Sequence, residues 1–141
     1  MSVLQFDGYK VESMSYQRND HFERTKKAVM LKPKLATKVD VKDNSINIML
    51  KVVAGSLETN SVPFQVDCSV VGRFTYKPDE DSTGIGLDTF VRNNAVAILY
   101  PYVRAIIATL TTTSNEFPGY NMPTINVGKL LAQQDEYDKH D

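Results

Sequence analysis

The side chains able to do covalent or metal chemistry in this chain are few and do not keep the company that chemistry needs. Cys68 is the one cysteine, and the two histidines, His21 and His140, are far apart in sequence, with His140 in a polar tail. No CxxC, HExxH, GxSxG or Walker-type loop occurs. Carboxylates cluster in Asp79-Glu80-Asp81 and in the tail, where they read as solvated charge and not as a paired acid and base. Gly84-Ile85-Gly86 is a lone GxG with no preceding βα context and reads as a loop before a helix. No catalytic residue, metal site or cofactor is expected. The remaining chemistry is non-covalent contact. Aromatic rings bring large contact area at low entropic cost, and methionine adapts to many shapes. Phe74 and Tyr76 at a strand end, and Phe117, Tyr120 and Met122 in a proline-rich loop, are the candidates. Each has a plainer reading as core or as a pin holding the loop.

The element that must position these residues is the stretch Ala95 to Leu110, AVAILYPYVRAIIATL. Ala, Ile and Leu at this density favour a helix. Arg104 is its only charge, so the usual wet face of a surface helix is missing. A domain of this length can cover one side of such a helix with its own sheet, and a second copy of the chain is expected to cover the other. The charge-free runs flanking Arg104 fall short of the roughly 18–20 residues that a bilayer requires, so no membrane insertion is expected. Asp88 reads as a cap, Asn93-Asn94 as a break that starts the main helix near Asn94 or Ala95, and Pro101 as a bend.

Ahead of the helix the pattern alternates. Ile46, Ile48, Leu50, Val52 and Ala54 share one strand face, and Leu35 to Val41 alternates before them across the turn Asp43-Asn44-Ser45. A longer strand runs from Phe64 to Tyr76 and puts Phe64, Val66, Cys68, Val70, Phe74 and Tyr76 on one side, with Gly72 as a bulge or a close approach. A weaker first strand spans Tyr9 to Arg18. Lys77 to Gly86 is a polar loop, Asn115 to Asn126 an extended loop with Pro118, Gly119 and Pro123, and Val127 to Gln134 a short helix. Strands followed by helices indicate an α+β domain with an antiparallel sheet.

The bulk numbers agree with one domain. The chain has 141 residues, 42% of them hydrophobic, and a formal net charge of −1. That charge predicts no general attraction to nucleic acid or anionic membrane, and Lys26-Lys27 with Lys32 and Lys34 read as a solvated loop. The lone cysteine and an N-terminal stretch, MSVLQFDGYK, without a secretory signal point to the cytoplasm.

Several of these segments resemble the SecB export-chaperone family. Tyr100-Pro101-Tyr102-Val103-Arg104 resembles that family's aromatic-Pro-Tyr-Ala-Arg segment, and Phe117-Pro118-Gly119-Tyr120-Asn121-Met122 its Phe-Pro-x-Leu-Asn-Leu loop. Ile125-Asn126-Val127 is similar to the Val-Asn-Phe entry to the last helix, and Val70 to Phe74 to the Gly-Gly-Ile-Phe strand. Tyr16 and Phe22-Glu23 keep the spacing of a Tyr…Phe-Glu element. The resemblance covers about Tyr9 to Leu131. Pro123 stands one place earlier than usual, and Val127 replaces an aromatic.

The resemblance implies a four-stranded antiparallel sheet backed by a long helix and a short C-terminal helix. That fold makes one domain over residues 1–134, followed by a charged tail over 135–141. It implies a homotetramer, a dimer of dimers, stacked through the long helices with Ile98, Tyr102, Arg104 and Ile106 at the interface. It implies a chaperone that holds unfolded polypeptide without ATP, with Phe74, Tyr76, Phe117, Tyr120 and Met122 lining the client groove. The client is either precursor bound for export or one dedicated protein such as an antitoxin; a scaffold that kept only the fold is the other reading. For export, the resemblance puts Glu23 and Asp67 in the acidic patch that docks the SecA motor. Asn19 stands where an aspartate is usual and Gln65 where an apolar residue is usual, which weakens that patch.

Overall fold

The structure, a computed structural model, describes residues 4–24, 29–77 and 89–123, with side chains of the last segment from Arg92 onward. Four strands, β1 (Leu4–Arg18), β2 (Lys34–Lys42), β3 (Ser45–Gly55) and β4 (Phe64–Tyr76), precede one helix, α1 (Thr89–Thr112). The strands form one antiparallel sheet in the order β1-β4-β3-β2, so the β1–β2 connection crosses from one edge to the other. The expected helix over Val127 to Gln134, the tail, Asp79–Asp81 and the GxG lie outside the described residues.

The alternation in β3 and β4 is a core face. Ile46, Ile48, Leu50, Val52 and Ala54 are buried, as are Phe64, Val66, Cys68, Val70 and Phe74. The β2–β3 hairpin turns at Asp43-Asn44, where Asp43 takes φ 56°, a left-handed conformation that a short polar side chain tolerates. Gly72 marks a close approach and not a bulge: a Cβ there would meet Leu99 and Phe74.

β1 begins at Leu4, five residues earlier than the sequence pattern indicates. Its register slips at Phe6/Gly8 and again at Val11/Ser13. Each slip inserts one residue, Asp7 and then Glu12, and restores the phase. Leu4, Phe6, Tyr9, Val11, Met14 and Tyr16 therefore all share the face of the residues they oppose, from Tyr76 through Val66. The spacing 2, 3, 2, 3, 2 conceals a strand that a strict period of two would reveal.

α1 begins at Thr89, not near Asn94. Asparagine costs only a few tenths of a kcal/mol in a helix, and burial of Ala95 and Val96 on the sheet outweighs it. The helix lays Ala95, Val96, Leu99, Tyr100, Val103 and Ile107 against the sheet, while Pro101, Tyr102, Arg104 and Ala105 face outward. Over Arg92–Thr112, Arg104 included, it is long and apolar enough to cross a membrane by length and composition. Its inward face nevertheless forms the domain's core.

Candidate functional site

Segment 113–123 runs back along α1 and ties the helix to the β1–β2 crossover. Gly119 lies so close to Thr112 that a Cβ would collide with its hydroxyl. The Tyr120 amide donates to Thr111 Oγ1 at 2.7 Å, and the Tyr120 hydroxyl to the Leu31 carbonyl at 3.1 Å. The Tyr100 hydroxyl donates to the Pro123 carbonyl. Burial raises the pKa of both phenols, so they remain neutral donors. Arg18 grips Glu116 with two bonds, 2.7 and 3.0 Å, and Asp20 with a third at 2.7 Å. Those bonds hold the Glu116 carboxyl below the usual range.

These ties assemble an aromatic cluster at the end of the sheet where β4 begins. Tyr16 lies 5.2 Å from Phe64, Phe64 lies 6.0 Å from Phe117, and Phe22 meets Phe117 edge-on at 5.9 Å. The Arg24 guanidinium lies over Phe117, 5.6 Å from its centroid. Phe64 is buried, whereas Tyr16, Phe22 and Phe117 are half-buried. Two irregular segments, 19–24 and 113–123, supply half of the cluster, so its outer wall is loop and its floor is sheet.

The five aromatic and methionine candidates therefore divide. Phe117 and Tyr120 stand together in this loop, and Met122 is buried behind them. Phe74 is wholly buried and packs on Phe6 at 5.3 Å, and Tyr76 is half-buried beyond it. Phe74 lies ten positions along β4 from Phe64, roughly 33 Å at about 3.3 Å per residue. The plainer reading, core, fits Phe74 and Met122; the structure places Tyr76 away from the loop.

A second apolar surface was not legible in the sequence. Tyr9, Met14, Tyr102, Ala105, Ile106, Thr109 and Leu110 line a groove of about 350 Å³ between β1 and α1. Tyr9 stacks on Tyr102 at 4.4 Å, and Met14 is 55% exposed. The interface candidates Tyr102 and Ile106 line it; Ile98 is half-buried and Arg104 is exposed. The signal lay in the helix-facing residues of β1, whose phase the two bulges hide.

Of the two expected docking acids, Glu23 is exposed in the crossover, and Asp67 lies on the opposite sheet face and accepts from Ser15 Oγ at 2.7 Å. Asn19, read from sequence at the edge of that acidic patch, is buried in the single chain. It is 3% exposed, donates to the Thr59 and Val62 carbonyls at 2.6 and 2.9 Å, and accepts from the His21 amide at 3.1 Å. An aspartate could make only the last of these. Among the described residues no group of three or more histidine, cysteine or acidic side chains is placed to hold a metal.

The family model for the preprotein translocase subunit SecB matches residues 12–138. The chain belongs to the SecB family. Its fold is similar to that of the SecB-like chaperone Rv1957 of Mycobacterium tuberculosis, solved in complex with a ChAD peptide from the HigA1 antitoxin. The TM-score is 0.68 at 14% identity, over 86% of this chain and 90% of that one. A protein of unknown function from Streptococcus agalactiae shares the fold with a TM-score of 0.57 at 14% identity, over 86% and 97% of the two chains. In sequence, an uncharacterized protein of Methanocaldococcus jannaschii is 29% identical over 138 residues, 95% of this chain and 86% of that one. The SecB family's α+β arrangement, one four-stranded antiparallel sheet under a long helix, is thus the fold of this chain.

Proposed function

We propose that this SecB-family chain is an ATP-independent holdase for non-native polypeptide, working in the cytoplasm in protein export. The observation that carries the reading is the half-open aromatic cluster of Tyr16, Phe22 and Phe117 over Phe64. Rings on a sheet floor, walled by loop, offer broad apolar contact without demanding one sequence. The groove between β1 and α1 is assigned to assembly. The outer side of α1 and the edge of β1 are open in the single chain, and a second copy would cover both. A dimer of dimers then repeats the client site, so that one long client engages several weak sites at once.

The test is suppression of aggregation of a chemically unfolded model protein. Suppression at stoichiometric amounts, reduced several-fold by Phe117→Ser without loss of the folded state, supports the reading. No suppression by the wild-type assembly overturns it.

A second reading gives the chain one dedicated client, such as an antitoxin. The fold's likeness to a SecB-like chaperone bound to an antitoxin peptide favours it. Binding of the C-terminal tail of SecA at micromolar affinity or better, dependent on Glu23 and Asp67, selects export over that reading.

A further inference from the structure

The sheet face turned away from α1 carries a cationic patch with an apolar centre, and we infer that this face docks an acidic segment of a partner protein, one of whose carboxylates seats between Lys10 and Arg73. This inference does not rest on the holdase reading. Register puts Lys10, Val71, Met49 and Lys38 in one row across the four strands. Arg73 and Asn47 lie in the row on one side, and Ser69 and Lys51 in the row on the other. Val71 and Met49 are half-buried, and Lys10, Lys38, Lys51 and Arg73 are exposed. Lys34 and Lys42 extend the charge along the β2 edge.

The chain as a whole has a formal net charge of −1, so this positive face is a local segregation of charge. Its carboxylates are Asp40, Asp67 and those of the two β1 bulges, Asp7 and Glu12. Asp7 accepts from Thr75 and Gln5 at 2.6 Å each, and Asp67 from Ser15; the bonds to Asp7, with the nearby charge of Arg73, hold its carboxyl below the usual range, so it stays ionised and an incoming carboxylate competes with it. Among the described residues, Lys10, Lys38, Lys51 and Arg73 make no ion pair within 4.0 Å.

The first bulge shapes the anchor. Gly8 takes φ 119°, which kinks β1 beside a concavity of about 390 Å³ lined by Lys10, Asn47, Val71 and Arg73 and also by the Asp7 carboxylate. Lys10 and Arg73 are diagonal neighbours, roughly 7–8 Å apart at the backbone, a span that one carboxylate can bridge. Cations ringing a small apolar floor fit acidic residues interspersed with aliphatic ones, where charge steers and register selects.

The probe is a ten-residue peptide alternating glutamate with leucine and valine, compared with its lysine-for-glutamate twin by titration calorimetry at low salt. The acidic peptide is expected to bind at least tenfold more tightly than the twin and to weaken as salt rises. Lys10→Glu/Arg73→Glu should lose at least tenfold for the acidic peptide and bind the basic twin instead. Circular dichroism and a thermal melt check that the variant is folded. Aggregation suppression by Lys10→Glu/Arg73→Glu should stay at the wild-type level, which separates this face from the client site. Acidic-peptide affinity unchanged within twofold in the double variant overturns the inference. So does preference for a thymidine oligonucleotide over the acidic peptide.

Discussion

Leu99 sits directly above Gly72: a Cβ on residue 72 would lie 2.7 Å from Leu99 Cδ2 and 2.8 Å from Phe74 Cε2. Helix and sheet touch there without a gap. Gly72→Ala should cost about 1–3 kcal/mol by overpacking, and Leu99→Ala about 2–5 kcal/mol by opening a cavity. Because each change vacates or fills the same space, Gly72→Ala/Leu99→Ala should be less destabilised than the two costs combined. Urea unfolding of the four proteins measures the coupling.

That contact also shows where sequence reasoning succeeds. Gly72 interrupts an otherwise regular apolar face, and only a close approach or a bulge explains a glycine there; the approach is the answer. β3 and β4 were legible because both bury one face and keep a strict alternation. β1 was half legible, since Asp7 and Glu12 each insert a residue and move the apolar set to the other parity. The start of α1 was hidden by Asn93-Asn94, whose weak local preference yields to packing. The aromatic candidates needed a sense of direction along β4. Phe74 and Phe117 both look adhesive in the sequence, but only the fold shows that they belong to opposite ends of the sheet.

Asn19 is a clamp whose chemistry disfavours an aspartate in its place. Its amide donates to two carbonyls of the β3–β4 loop. Asn19→Asp would turn an acceptor toward acceptors and should cost about 1–3 kcal/mol. Burial would raise the new carboxyl's folded pKa. The unfolded chain would then ionise first as pH rises, so the loss should grow from about pH 4 toward neutrality. Thermal melts of both proteins across that range check the sign.

Cys68 is wholly buried on the core face of β4. Burial, and then the charge of Asp67, push its thiol up to about 11. The native protein should therefore resist iodoacetamide at pH 8 and react once unfolded by urea. A folded pKa raised above the unfolded one leaves the thiol's contribution to stability intact below pH 9.0 and removes it progressively up to about 11. Cys68→Ala should abolish that alkaline component, at a cost of stability at neutral pH. Labelling seen by mass spectrometry, with melts between pH 8 and 11, measures both.

The stacked pair Tyr9 and Tyr102 stands at the open end of the β1–α1 groove, 37% and 38% exposed in the single chain. Apolar rings left half in water contribute little to the chain's own stability and gain most when a second surface closes over them. Tyr102→Lys or Ile106→Lys puts a charge where that surface would lie, and a charge without a partner resists burial. The expected outcome is a shift from assembly to single chains in light scattering, with circular dichroism unchanged. Aggregation suppression per chain should fall with it, because separated sites lose their shared grip on one client. If Tyr102→Lys leaves the mass in solution unchanged, the groove is not an assembly surface; if the mass falls while suppression per chain is retained, a single site suffices to hold a client.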